Sequence, residues 1–272
     1  MRMLQALTAG MLACTTLAAC AQAPTPVVLS AREATQTALP ALPGPPAPDP
    51  GSAALRLGVT AFDGFNPLSI PDEGTEQVQT LVYETLLAYD VQGGLYPLLA
   101  ADMPLPSDDG LSWSVTLRDG VTFHDGSPLD GNGAAAALEA TLAGQDAGRG
   151  SLAVLEFRRV VESVSADGHT LTLRLREPYP ALPQLLAEQA LAITHGAGVG
   201  TGPFALEHTD EPNADLTLVA NQGYHGGPPL LSSVRVRNFA GSEHPALAII
   251  EALRSGDIDL AVLRGPLPDD LA

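Results

Sequence analysis

The chain has 272 residues, 45% of them hydrophobic, which is enough apolar material for one large domain or two small ones. It carries 31 acidic and 13 basic residues, so its formal net charge is −18, and every basic residue is an arginine. Such an acidic surface repels a phosphate backbone, which argues against nucleic acid as a partner and against unaided binding to anionic lipid headgroups.

The N-terminal segment has the pattern of an export signal. Arg2 gives a short positive region, and residues 4–19 form an apolar stretch that is too short to span a membrane comfortably. The stretch ends in LAAC at 17–20, which resembles the lipobox of bacterial lipoproteins: a branched residue, two small residues and a cysteine that accepts a diacylglyceryl group. This pattern predicts a signal peptide over 1–19 and lipid attachment at Cys20. An ordinary secretory signal that ends near a cysteine is the alternative.

Cysteine and proline usage agree with a lipid-anchored, exported protein. The two cysteines are Cys14 and Cys20, so no disulfide and no cysteine-based metal site is expected beyond Cys20. Residues 21–50 contain eight prolines and cannot build a packed core. We therefore interpret 20–52 as the lipidated cysteine and a Pro/Ala-rich linker, which holds a folded domain at 53–272 off the outer, periplasmic side of the cell membrane.

Beyond the linker, hydrophobic periodicity and turn residues predict strands and helices without a regular βαβ rhythm. In chain order the predicted elements are a strand at 54–60, a turn at 65–67, a helix at 73–87, strands at 113–117 and 121–123, a helix at 130–143, strands at 154–164 and 170–176, strands at 204–208, 215–220 and 232–239, a helix at 245–255 and a strand at 258–262. The letters ADG at 166–168 predict a hairpin between two of these strands. Trp113 and Phe123 are expected in the core.

Motifs that would indicate catalysis are weak. The segment GAGVGTG at 196–202 resembles a dinucleotide-binding loop at first sight, but its spacing is wrong and Pro203 begins a strand rather than a helix. Its last glycines, at 200–202, predict a close approach of backbone to a ligand or to a neighbouring strand. Asp257 and Asp259 share one face of a predicted strand but have no proton-transfer partner, so solvated carboxylates are expected. The sequence predicts no catalysis, no cofactor and no metal site.

Five motifs in a fixed order carry a resemblance to a known family. They are VYETL at 82–86 followed by YPLLA at 96–100, DDGLSWSVTLRDGVTFHDG at 108–126, GTGPF at 200–204, NQGYHG at 221–226 and ALRSGDID at 252–259. Through them, residues 54–268 are similar to the peptide/nickel-type solute-binding proteins (family 5) of bacterial ABC importers.

The resemblance implies a mixed α/β, periplasmic-binding-protein-like fold of type II, with the first lobe and a β-rich subdomain at 68–176 present in this chain. It implies the capture of oligopeptides or similar small solutes outside the cytoplasm and their delivery to ABC permease subunits. Ligand contacts from the first lobe are expected in one turn and the loop after it, at Phe65, Asn66, Pro67, Pro71 and Asp72.

Two features depart from the family pattern. The acidic residue that caps the helix after the histidine-containing motif is replaced by GNGA at 131–134, so this helix is expected to lack an acidic cap. Family members are also much longer and clamp their ligand between two lobes. The chain is therefore expected to be a fragment, a truncated reading frame or a reduced single-lobe protein. The competing hypothesis is a single-lobe surface lipoprotein that binds a partner protein or no ligand.

Overall fold

The computed structural model describes residues 53–68, 73–144, 151–207 and 215–263. The predicted signal peptide, Cys20 and the linker lie outside the described residues, as do Pro71 and Asp72. Within the described ranges no helix is both long and apolar enough to cross a membrane.

The described residues form strands and helices that mix along the chain. In order they are β1 (Ala54–Val59), α1 (Glu73–Val82), β2 (Leu87–Tyr89), β3 (Leu95–Pro97), β4 (Leu105–Pro106), β5 (Ser112–Thr116), α2 (Gly131–Ala143), α3 (Leu152–Val160), β6 (Val161–Asp167), β7 (Thr170–Leu175), α4 (Leu182–Leu185), a 3₁₀ turn (Gln189–Leu191), β8 (Phe204–Leu206), β9 (Leu216–Ala220), β10 (Ser233–Asn238), α5 (Pro245–Ser255) and β11 (Leu260–Val262). The mixed α/β class predicted from the sequence is confirmed.

The largest sheet has five strands in the order β11-β1-β10-β9-β8. β1 runs parallel to both β10 and β11, whereas β9 is antiparallel to β10 and to β8. Val234 and Val236 are buried while Arg235 and Arg237 are exposed, which is the period of two that a sheet with one covered face imposes. The predicted strand at 232–239 and the predicted helix at 245–255 both correspond to observed elements.

An ion pair fastens β1 to the turn between α5 and β11. The Arg56 guanidinium donates to both carboxylate oxygens of Asp259, at 3.0 and 2.6 Å, and to the Gly256 carbonyl oxygen at 2.6 Å. Asp257 lies 4.0 Å from a different arginine, Arg237. Both aspartates precede the strand on which the sequence placed them, and they contact separate arginines rather than forming a pair.

A second, four-stranded antiparallel sheet has the order β4-β5-β7-β6. Trp113 faces Leu173 and Val115 faces Leu171 across β5 and β7, and all four side chains are buried. The predicted hairpin is confirmed, since β6 and β7 pair antiparallel up to Asp167 and Thr170, joined through a left-handed Gly168 with φ of 58°. Helices α2 and α3 pack against β6 and complete this core.

The strand predicted at 154–164 is wrong in its first half, because α3 occupies 152–160. Its buried side chains are Val154, Phe157 and Val160, a spacing of three that fits one helical face rather than a strand. Ser151 caps the helix by accepting a hydrogen bond from the Val154 N–H group. The valine- and phenylalanine-rich composition favours a strand, but the cap and the spacing decide for a helix.

The helix predicted at 73–87 ends at Val82, earlier than expected. The Val82 carbonyl oxygen accepts a hydrogen bond of 3.0 Å from the Gly202 N–H group, which comes from a distant loop. Glu84 then forms an isolated bridge with Ile193, and Leu87 begins β2. Contacts with residues far along the chain therefore terminate α1.

Two smaller expectations around α2 are also corrected. The strand predicted at 121–123 is reduced to a single bridge between Thr122 and Pro128, because a tight turn follows immediately. The helix has an acidic cap after all, since Asp130 accepts a hydrogen bond of 2.8 Å from the Gly133 N–H group. The cap comes from the residue before the GNGA segment, where the family pattern had not placed it.

Candidate functional site

A pocket opens beside the turn at 65–68. It has a volume of about 230 Å³, and three segments contribute its walls: the turn, one face of α2 and the loop at 192–197. Its described lining is Phe65, Asn66, Pro67, Leu68, Ala137, Ala140, Thr141, Ala192, Thr194, Gly196 and Ala197. This described lining contains no charged side chain, and most of its surface comes from methyl groups and rings. We call it the 65–68 pocket.

Side chains of α1 hold the segment that leads into this turn. The Asp63 N–H group donates to the hydroxyl of Thr75 at 2.9 Å, and the amide of Gln79 donates to the Gly64 carbonyl oxygen at 2.9 Å. The Phe62 and Phe65 rings meet edge to face with centroids 5.1 Å apart. The turn is thus fixed by buried polar contacts as well as by its own aromatic packing.

Tyr83 links the turn to the opposite wall of the pocket. Its ring is 1% exposed, and its hydroxyl donates to the Phe65 carbonyl oxygen at 2.9 Å. The same oxygen accepts a hydrogen bond of 2.6 Å from the Gly198 N–H group and lies 3.3 Å from the Gly196 carbonyl oxygen. Burial raises the pKa of Tyr83 to about 12, so the hydroxyl keeps its proton near neutral pH and can donate.

Next to Tyr83, the Glu84 carboxylate is buried at the centre of a polar cluster. It accepts hydrogen bonds from the Thr201 hydroxyl at 2.8 Å and the Tyr224 hydroxyl at 2.7 Å. His225 Nε2 lies 3.1 and 2.9 Å from the two carboxylate oxygens, and because a carboxylate only accepts, this nitrogen carries the hydrogen. Burial raises the pKa of Tyr224, and the hydrogen bond to the Glu84 carboxylate raises it further. We call these four residues the Glu84 cluster.

The glycines of GTGPF allow close backbone packing, which the sequence had left open between a ligand and a neighbouring strand. A side-chain carbon at Gly200 would lie 2.1 Å from the Val82 carbonyl oxygen, and one at Gly202 would lie 2.7 Å from the Leu81 carbonyl oxygen. His124 braces the same loop, since its Nδ1 accepts from the Gly200 N–H group and its Nε2 bonds to the Gly202 carbonyl oxygen. The glycines therefore have a structural role, because they let this loop pack closely against the end of α1.

His195 belongs to the loop that lines the pocket but contacts groups outside it. Its ring lies 4.9 Å from the Phe123 ring, and its Nε2 lies 3.8 Å from an oxygen of Asp125. A hydrogen bond from Ser127 lowers the pKa of Asp125 and occupies its other oxygen. Within the part of the chain that the structure describes, no group of three or more His, Cys, Asp or Glu side chains could hold a metal ion.

Three of the five predicted contact residues come together in the pocket. Phe65, Asn66 and Pro67 all line it, whereas Pro71 and Asp72 fall outside the described residues. That these residues contact a ligand stays a prediction.

The sequence interpretation missed the other two walls. The α2 wall consists of Ala137, Ala140 and Thr141, which lie at the spacing of one helical face. An alanine-rich helix with small side chains on one face was a signal that space is left beside it. The loop wall includes Ala197, which precedes the GTGPF motif in the glycine-rich segment and was not itself predicted to contact a ligand.

Comparison with known proteins decides the family. A family model described as "Bacterial extracellular solute-binding proteins, family 5 Middle" matches residues 94–271. The chain belongs to this family. Family 5 proteins bind solutes and are not enzymes, which agrees with the absence of a catalytic motif in the sequence.

Two curated proteins are similar to this family 5 chain over about two thirds of its length. It is 31% identical over 197 residues to the nickel-binding periplasmic protein of Escherichia coli K12, covering 67% of this chain and 36% of that protein. It is 28% identical over 184 residues to a probable peptide ABC transporter periplasmic-binding protein of Sinorhizobium fredii, covering 62% of this chain and 33% of that protein.

The fold is also similar to that of a solved periplasmic binding protein. The periplasmic binding protein DppA of Helicobacter pylori, in complex with the peptide STSA, matches with a TM-score of 0.66 and 21% identity over 77% of this chain and 46% of that chain. The periplasmic-binding-protein-like fold is therefore confirmed. The chain spans about a third of the curated relatives and under half of this solved relative.

Proposed function

We propose that this family 5 chain is the extracytoplasmic, lipid-anchored substrate-binding protein of an ABC importer, and that it captures oligopeptides or similar small solutes for a membrane permease. The 65–68 pocket then supplies the first-lobe contact, with Phe65, Asn66 and Pro67 at its wall and Pro71 and Asp72 in the adjoining loop. The observation that carries the proposal is a pocket, at the turn that the family resemblance singles out, whose described lining is uncharged and largely apolar.

The chemistry of the pocket favours an apolar side chain of a peptide over a metal ion or a charged solute. Its described walls offer methyl groups and the Phe65 ring, and its polar atoms belong to neutral side chains and backbone. A charged group would lose its hydration there without gaining a partner of opposite charge, which is unfavourable. A volume of about 230 Å³ suits one side chain rather than a whole peptide.

A comparison of the free energy gained by burial with the cost of ordering a peptide predicts that this pocket alone binds peptides weakly. Burying one leucine-sized side chain is worth roughly 1.5–3 kcal/mol. Ordering a flexible peptide and losing its overall motion cost at least about 4 kcal/mol. We therefore expect a dissociation constant on the order of millimolar or weaker for the 272-residue chain, unless further walls enclose the ligand.

We expect peptides with an apolar central residue to contact this pocket. In ¹H–¹⁵N NMR titration of the 272-residue chain, alanyl-leucyl-alanine should shift the amide signals of the turn and of residues 194–197. Alanyl-aspartyl-alanine should leave them in place, because the described lining of the pocket contains no cationic side chain.

A pair of variants on one helix separates pocket binding from general effects. Ala140→Leu fills the pocket from α2 and should abolish the leucyl-peptide shifts. Ala136→Leu adds the same side chain to an exposed position of α2 outside the described lining and should leave them unchanged. Shifts that map elsewhere, or that survive Ala140→Leu, would place the ligand contact outside the 65–68 pocket.

The lipid anchor has its own test. Mass spectrometry of the peptide 20–32, which trypsin releases at Arg32, should show Cys20 as the first residue and carrying a diacylglyceryl group. Cys20→Ser should move the protein from the membrane fraction to the soluble fraction, whereas Cys14→Ser should not. Cleavage elsewhere with an unmodified Cys20 would overturn the anchor and leave the binding proposal standing.

A further inference from the structure

Two walls of the 65–68 pocket, the turn and the loop, are both hydrogen-bonded to the hydroxyl group of one residue, Tyr83. Tyr83 follows α1 directly, and its N–H group continues the helical pattern by donating to the Gln79 carbonyl oxygen at 2.8 Å. Its ring packs edge to face on Phe65 with centroids 6.1 Å apart. The residue does not belong to the described lining of the pocket, so a ligand there would not touch it.

The hydroxyl of Tyr83 bonds to the turn and to the loop of the opposite wall. As a donor it lies 2.9 Å from the Phe65 carbonyl oxygen, in the turn, and 3.3 Å from the Gly196 carbonyl oxygen, in the loop wall. Its oxygen accepts the Gly198 N–H group at 2.6 Å, in the loop that carries Gly196 and Ala197. Gly198 is buried, so water does not readily replace this bond.

From this geometry we infer that Tyr83 is a positioning residue for ligand selection, because it fixes the separation between the turn and the loop at 192–197, which Gly198 follows directly. The inference rests on the proposed binding function of the pocket. The two walls come from segments more than a hundred residues apart in the sequence, since Phe65 lies in one and Gly196 in the other. A shape that accepts one apolar side chain requires both walls to be held in register.

Tyr83→Phe tests the inference, because it keeps the ring and removes only the hydroxyl. Tyr224→Phe is the matched control: it removes the hydroxyl of another, partly buried tyrosine, which donates to Glu84 and not to a pocket wall. Both variants should lose stability to a similar degree. Only Tyr83→Phe should raise the amide hydrogen exchange rate of Gly198, by about tenfold or more, because this amide loses its acceptor.

The binding readout distinguishes the inference from the proposed function. In the same NMR titration, Tyr83→Phe should weaken the shifts caused by alanyl-leucyl-alanine by at least about fivefold, and Tyr224→Phe should retain them. If the unaltered chain shows no peptide shifts, the proposed function fails, and the exchange rate of Gly198 still tests the positioning role. Gly198 exchange and peptide shifts that are the same in Tyr83→Phe as in the unaltered chain would overturn the inference.

Discussion

Replacing Glu84 by alanine is expected to lower the free energy of unfolding by about 3 kcal/mol or more. The carboxylate is 4% exposed and accepts hydrogen bonds from Thr201, Tyr224 and His225. Removing it leaves three donors facing a cavity, and two of them, on Thr201 and His225, have little access to water. Each buried donor without a partner costs about 1–3 kcal/mol.

Urea unfolding measures this effect, with far-ultraviolet circular dichroism and the fluorescence of the buried Trp113, the one tryptophan of the chain, as probes. Glu84→Gln keeps the shape but places an amide N–H group against these donors, so a smaller loss of about 1–2 kcal/mol is expected. Glu251→Ala, at an exposed position of α5, is the control and should stay within about 0.5 kcal/mol of the unaltered chain. A Glu84→Ala protein as stable as that control would show that the Glu84 cluster contributes nothing to the fold.

The Glu84 cluster also shows where sequence reasoning stops. VYETL, GTGPF and NQGYHG were recognised as three separate motifs, and each contributes one or two members of the cluster. The bonds from Glu84 to Thr201 and Tyr224 span 117 and 140 positions, and no local periodicity reveals that such distant residues meet. The order of the motifs predicted the family, but only the fold shows why an acidic residue stands among apolar ones.

Elements with a strong local signal could be predicted closely. The helix expected at 245–255 has the observed bounds, because Pro245 suits its first turn and Gly256 ends it with a φ of 78°. The hairpin around Gly168 follows from its turn residues in the same way. By contrast, the sequence predicts a strand where α3 lies, because the composition favours a strand while the spacing of the buried side chains fits a helix. It also predicts too late an end for α1, because the contact from Gly202 that ends this helix comes from far along the chain.

The candidate site likewise has one part that the sequence predicted and parts that it did not. The turn at 65–67 was predicted as a ligand contact from its position in the family pattern, and it does line the pocket. The α2 and loop walls were not predicted, since alanines and glycines carry no chemical signal of their own. Tyr83 was quoted only as part of a motif, although it bonds both walls.

Gly200→Ala is expected to destabilise the protein by about 3 kcal/mol, although it adds a single methyl group. A side-chain carbon at this position would lie 2.1 Å from the Val82 carbonyl oxygen and 2.6 Å from the Tyr83 ring, closer than side-chain carbons approach other atoms in real proteins. The first of these neighbours is backbone at the end of α1, so it cannot rotate away. Either the GTGPF loop or the end of α1 must move.

Urea unfolding of Gly200→Ala beside Gly241→Ala separates this clash from a general effect of removing glycine. A side-chain carbon at Gly241 would meet nothing within 4 Å, so this control should be neutral or slightly stabilising. Because Gly200 also bonds His124, and a side-chain carbon added there would clash with the Tyr83 ring, its replacement should raise the amide exchange of Gly198 as well. A Gly200→Ala protein as stable as Gly241→Ala would mean that this loop and α1 pack less closely than the structure shows. The link from GTGPF through Tyr83 to the pocket would then lose its physical basis.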